Sequence, residues 1–375
     1  MHRDPALTKP QAGAWWRSAS LPPWSLAVPL LAALVLAAAW GRAPGALAAA
    51  AIGAALVAAV LSAVHHAEVV AHRVGEPFGT LVLAVAVTVI EVALIVALMF
   101  AGGEAAASLA RDTVFAAIMI VANGVVGLCL VVGGVRHHVL RFRVDGTSPA
   151  LAALAALAGL ALVLPAFTTT TGGPTYSGSQ LAFAGVASLA LYGVFVFVQT
   201  VRHRDYFLPE EHESDPSAHA APPSDAAAWS ALGLLLVSLV AVVGLAKTLA
   251  PLIEAGVRAA GAPPAFVGVL IALIVLAPET WAAVRAAMAN RLQTSLNLAL
   301  GSGLASIGLT IPVVAAVSMF FPHPLVLGLP AKELVLLTLT LVVGVLTLGS
   351  GRATVMQGAV HLALFAAFLF LAIVP

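Results

Sequence analysis

Long apolar runs, broken only where charges or Pro/Gly clusters intervene, follow one another along almost the whole chain. A helix needs roughly 17 to 25 apolar residues to cross the hydrocarbon core of a bilayer. Eleven runs approach that length: Ser25–Trp40, Ala46–Val70, Pro77–Phe100, Thr113–Val135, Pro149–Pro165, Leu181–Val201, Trp229–Ala250, Pro264–Ala289, Ser295–Phe320, Glu333–Leu348 and Thr354–Ile373. They are continuous rather than alternating, and an open sheet cannot satisfy its backbone in lipid, so the pattern predicts helices and no strands. The fold class is an all-α polytopic membrane protein of about 11 transmembrane helices. The first run follows Arg17 as a secretory signal would, but the long polar stretch before it and the ten runs after it mark an uncleaved helix.

Composition narrows the function classes. Of 375 residues, 61% are hydrophobic and 9% charged, against roughly 25% charged in an average soluble domain. Lipid must cover what so few charges cannot. A net charge of +1 without a basic face excludes a nucleic-acid partner. The single cysteine, Cys129, excludes an internal disulfide and any multi-cysteine metal site. The expectation is a transporter rather than an enzyme, with no resident cofactor, and with membrane lipid and small ions as its partners.

Charge sets orientation. If the spans alternate from an inside N-terminus, the inside segments carry Arg3, Lys9, Arg17, Arg73, Arg136, Arg141, Arg143, Arg202, Arg204, Arg285, Arg291 and Arg352. The outside segments carry only Arg42, Arg111, Arg258 and Lys332. By the positive-inside rule the N-terminus is cytoplasmic and the C-terminus lies outside.

Residues 202–228 form the one long polar connection, with Glu210, Glu211, Glu213, Asp215 and Asp225 among Pro and Ser. Its composition predicts a solvated, disordered linker. The chain then divides into residues 1–45 with the first helix, a five-helix repeat at 46–201, the acidic linker, and a second five-helix repeat at 229–375. Five is odd, so equivalent helices of the two repeats point in opposite directions, the inverted plan of many secondary transporters.

Each repeat carries a glutamate in the middle of its second helix, Glu91 and Glu279, with an upstream glutamate, Glu68 or Glu254, and a glycine turn at Gly75 or Gly261. An ionisable group at the bilayer centre costs about 2.5 to 3.5 kcal/mol or more, so a repeat-related pair calls for a function. On antiparallel helices both carboxylates arrive near one depth. There they share protons or hold a cation, and alternation between those states is an exchange mechanism. Pro278 removes an N–H beside Glu279, and Thr88 stands one turn before Glu91 on its face. The following helices add Asn123, Ser302 and Ser306, with Asn123 and Ser306 at equivalent positions. A hard cation such as Ca2+ takes about six to eight such oxygens.

The segments GEPFGTLVLAVAVTVIEVALI (75–95) and LAPETWAAVRAAMANRLQTSLNLALGSGLASIGLTIP (276–312) resemble the two alpha-repeats of the ChaA-type calcium/proton antiporters, within the cation/calcium exchanger superfamily. The resemblance covers essentially the whole chain, acidic loop included. It implies a bacterial inner-membrane protein that exchanges Ca2+, or Na+ and K+ in some relatives, for protons. It makes Glu91 and Glu279 the ion-binding, proton-coupled pair and Asn123, Ser302 and Ser306 additional ligands, to which the helical spacing adds Thr88.

Histidines supply the rival. His65, Glu68 and His72 fall on one helical face, a zinc-binding arrangement that raises an intramembrane metalloprotease, although the His-Glu-x-x-His spacing of such enzymes is absent. The same face, with Glu254, otherwise serves as a proton path, because histidine titrates near neutral pH. A passive channel is the third option and needs no pair of protonatable groups.

Overall fold

The computed structural model describes residues 21–42, 44–75, 78–102, 106–208, 223–321 and 323–374. They form eleven helical rods: α1 Pro23–Ala39, α2 Ala46–Val74, α3 Phe78–Gly102, α4 Leu109–His137, α5 Val144–Ala166, α6 Gly178–Arg202, α7 Asp225–Ala259, α8 Phe266–Met288, α9 Leu292–Phe320, α10 Ala331–Leu348 and α11 Val355–Ile373. Ten are long and apolar enough to cross a membrane, and α1, at 17 residues, is shorter.

Local chemistry starts and stops these rods. Ser177 with Gln180 and Thr354 with Gln357 form capping boxes at α6 and α11, and Ser224 caps α7 by accepting from the Ala227 N–H. Gly75 and Gly261 take positive φ, 76° and 71°, where α2 and α7 end, a conformation that other residues adopt only with strain.

Three expectations need correction. The helix predicted at Trp229–Ala250 runs from Asp225 to Ala259, straight through Pro251; in lipid, neighbouring groups re-satisfy what a proline frees, so Pro is a weak stop there. The linker is correspondingly shorter than 202–228: Arg204–Tyr206 forms a 3-10 turn, and residues 209–222 lie outside the described residues, as do Arg3, Lys9 and Arg17. A small strand pair also exists. β1 Leu140–Arg141 pairs antiparallel with β2 Arg352–Ala353, clasping two interhelix loops.

Loop contacts sort the helix ends onto two faces. On one, the clasp is joined by Arg143, whose N–H bonds Gln293 Oε1 (2.7 Å) and whose guanidinium bonds the Asp205 carbonyl (2.6 Å). His137 reaches the Met288 carbonyl there at 3.1 Å. Arg73, at the end of α2, pairs with Asp225, at the start of α7, so these two helices run antiparallel. On the other face the Val326 N–H bonds the Ala107 carbonyl (3.1 Å) and the Gly328 N–H bonds that of Pro174 (2.9 Å). Arg73, Arg136, Arg141, Arg143, Arg202, Arg204, Arg285, Arg291 and Arg352 gather at the first face, and Arg42, Arg111, Arg258 and Lys332 at the second. Following the chain between faces, α3 runs away from the Arg-rich face and α8 toward it.

Candidate functional site

Glu91 lies midway along α3, 3% exposed, among Ile90, Leu94 and Ile95. Ser306 of α9 sits with its Oγ 2.5 Å from both Glu91 carboxylate oxygens, so its one hydroxyl hydrogen can be given to either of them. Thr88 occupies the next turn toward the Arg-rich face, 3% exposed, and spends its hydroxyl hydrogen on the Ala84 carbonyl at 2.8 Å, leaving its oxygen as an acceptor. Opposite, α8 passes unbroken through Pro278 and presents Glu279, whose buried Oε2 has no hydrogen-bond partner. Among the described residues neither glutamate is paired with a lysine or arginine. A buried carboxylate without a counter-charge is costly, and such a site is satisfied by a proton or by a cation.

Both glutamates open onto one cavity of about 310 Å³, together with Thr88, Ser302 and Gly301. Its walls continue toward the Arg-rich face, through Leu83 and Ala84 on α3, Thr294 and Asn297 on α9, Gln199 at the end of α6 and Arg204 in the turn after it. Beyond Glu91 on the other side, Leu94, Ile95, Leu98 and Met99 are all buried, at 5% exposure or less. The molecule is therefore open from its Arg-rich face down to the carboxylate pair and closed above it. Gly301 has open space where a side chain would stand, and Gly308, two turns on, does not: a Cβ there would lie 2.6 Å from Tyr192 Cβ.

Asn123 is placed elsewhere. It lies in a π-helical stretch, Ile120–Val125, whose wider turn re-aims its side chain. Its amide nitrogen donates to Thr340 Oγ1 (2.8 Å) and its oxygen meets His361 Nδ1 (3.1 Å); His361 Nε2 meets Thr347 Oγ1 at 3.1 Å. A neutral histidine protonated on Nδ1 satisfies every member of this buried chain.

Of the supposed proton-path residues, His65, Glu68 and His72 do not line the cavity. His65 packs its ring, tilted by 48°, against Trp24 with centroids 4.8 Å apart, Glu68 and His72 are exposed, and the Glu254 side chain lies outside the described residues. Among the described residues no three His, Cys, Asp or Glu side chains meet as a metal site, so the zinc protease is withdrawn: residues that share a face over two turns still point to different neighbours. The sequence argument also missed Thr294 and Asn297, although 294, 298, 301 and 305 trace one helical face with Asn297 and Ser302 beside it, a signal present in the spacing.

A mostly helical membrane protein with carboxylates from two oppositely directed helices on one cavity, reached from one face, has the architecture of a secondary transporter. The chain belongs to the sodium/calcium exchanger protein family, which matches residues 44–201 and 230–374. It is 51% identical over 363 residues to the putative ionic transporter y4hA of Sinorhizobium fredii, covering 96% of this chain and 98% of that one. It is 39% identical to the sodium-potassium/proton antiporter ChaA of Escherichia coli, covering 82% and 83%. A solved H+/Ca2+ exchanger CAX shares the fold, with a TM-score of 0.68 at 15% identity over 92% of this chain and 86% of that one.

Proposed function

We propose that the chain is a secondary active cation/proton antiporter in which Glu91 and Glu279 hold either protons or the transported cation. One observation carries this: two buried carboxylates without a basic partner share a single cavity that opens to one face. The relatives that are proton-coupled cation antiporters support it. Ser302, Thr88 and Ser306 complete the oxygen set, and Asn123 acts as an interhelical anchor in the state described. We assign the Arg-rich face to the cytoplasm of a bacterial inner membrane, which places the N-terminus inside and the C-terminus outside. The halves 46–201 and 229–375 act as inverted repeats that rock about the site.

Ca2+ is the cargo we assign, with Na+ or K+, named for the Escherichia coli relative, as the competing outcome. A divalent ion between two carboxylates leaves a neutral site, as two protons do, so exchange of one Ca2+ for two H+ is electroneutral and almost indifferent to voltage. The test uses purified protein in proteoliposomes under an imposed pH gradient. Gradient-driven Ca2+ movement with matching proton counterflow supports the assignment. Na+ or K+ movement with no Ca2+ movement reassigns the cargo, and absence of all three removes the function.

A further inference from the structure

Asn123 and Ser306 hold equivalent positions in the two repeats but bond differently. Ser306 stands by the glutamate of a facing helix, and among the described residues it bonds only Glu91. By the same relation Asn123 of α4 belongs beside Glu279 of α8, a helix that packs against the Ile120–Val125 stretch. Its amide is turned instead toward α10 and α11, and Glu279 Oε2 is buried without a partner.

Two bonds hold the amide there. Thr340 of α10 gives its hydroxyl hydrogen to the Leu336 carbonyl at 2.7 Å, so its oxygen is the acceptor for Asn123 Nδ2 at 2.8 Å. The Asn123 oxygen then needs a donor, and His361 Nδ1 of α11, 3.1 Å away, supplies it. That leaves His361 Nε2 to accept from the Thr347 hydroxyl at 3.1 Å. Thr340, Asn123, His361 and Thr347 are each 2% exposed or less. His361 comes this close because α4 meets α11 through glycines: a Cβ on Gly127 would lie 3.0 Å from His361 Cβ, and one on Gly124 3.3 Å from the Phe365 ring. The backbone beneath Asn123 is a π-turn, a form that recurs at functional sites. Relaxing such a turn to regular α-helix shifts the register by one residue and swings its side chains by roughly 100°.

We propose that His361 is a positioning residue for cation binding: its bond to the Asn123 oxygen keeps that oxygen off the ion, and breaking the bond frees it to join Glu279 as a ligand. The inference rests on the antiport function above. A ligand that is turned away for most of the time weakens apparent affinity in proportion, so the His361 bond tunes how firmly the cation is held.

Exchange kinetics in proteoliposomes test it, with the wild-type protein assayed first for Ca2+, Na+ and K+. His361→Leu removes the donor and leaves the Asn123 oxygen buried without one, which disfavours the turned-away setting. The KM for the transported cation should fall by about two- to tenfold, the range that one lost hydrogen bond allows. A residue that only packed helices together would lower kcat or the folded yield and leave KM unchanged or higher. Thr340→Val removes the other bond with little change of shape and should lower KM as well, which keeps the test available if His361→Leu does not fold. Adding Asn123→Ala to either variant should return the KM of Asn123→Ala alone, because the effect passes through that amide. An unchanged or raised KM in the single variants, a decrease that survives Asn123→Ala, or failure of both single variants to fold overturns the positioning role while leaving the antiport function standing. Wild-type protein that moves none of the three cations removes the antiport function, and the proposal with it.

Discussion

Glu91 and Glu279 hold equivalent positions in the two repeats yet live in different surroundings. Glu91 is 3% exposed, and the Ser306 hydroxyl stands within hydrogen-bond distance of both of its oxygens. Glu279 is half-buried, and its Oε2 is unpartnered. The difference teaches how a two-carboxylate site is loaded from one side. Under the proposed function, the paired glutamate is held in place at the closed end of the cavity, whereas Oε2 of Glu279 is the atom an arriving cation or proton would meet without first breaking a bond. In the opposite-facing state the roles should exchange.

The largest expected effect comes from neutralising either carboxylate. Glu91→Gln and Glu279→Gln each remove a ligand and a proton carrier, and proteoliposome exchange should fall to background while the protein still inserts. Measurable exchange in just one variant would show that the two positions are not equally required.

Removing the Ser306 hydroxyl should separate them. Groups that orient a metal-binding carboxylate typically contribute about 10–100-fold to affinity or activity. Ser306→Ala should therefore weaken apparent cation affinity within that range, and Ser302→Ala, facing the cavity rather than Glu91, should do less. Equal losses would mean that Ser306 does not orient Glu91 in any special way.

The glycines of α9 sharpen the contrast between packed and open walls. Gly308→Ala drives a methyl into Tyr192 and should lower stability by about 1–3 kcal/mol, read as reduced thermal tolerance in detergent. Gly301→Ala places its methyl in open space and should leave stability unchanged while altering transport. The smallest effect is expected in the acidic connection: deleting Glu210 to Asp215 should leave the maximal exchange rate intact, because no proposed ligand lies in that segment.

Much of this was legible in the sequence, for identifiable physical reasons. Lipid tolerates no unsatisfied backbone, so eleven apolar runs read directly as helices, and the arginine bias sorted their ends onto the two faces seen in the structure. A carboxylate in a bilayer is expensive, which made Glu91 and Glu279 conspicuous, and the cavity brings them together. What escaped depended on neighbours distant in sequence. The direction of Asn123 is set by a π-turn and by Thr340 and His361, more than two hundred residues away. Pro251 looked like a stop and is not one. The clasp of Leu140–Arg141 on Arg352–Ala353 joins two loops whose four residues carry no strand pattern of their own.

The central claim is that protons and the cation compete for the same two carboxylates, and proton release on binding tests it most directly. Purified protein in weakly buffered detergent solution is titrated with Ca2+ while pH is recorded. The account predicts about two protons released per Ca2+ bound at a pH where both groups start protonated, and no release from Glu91→Gln/Glu279→Gln. Saturable Ca2+ binding by the wild-type protein under those conditions without proton release would contradict it.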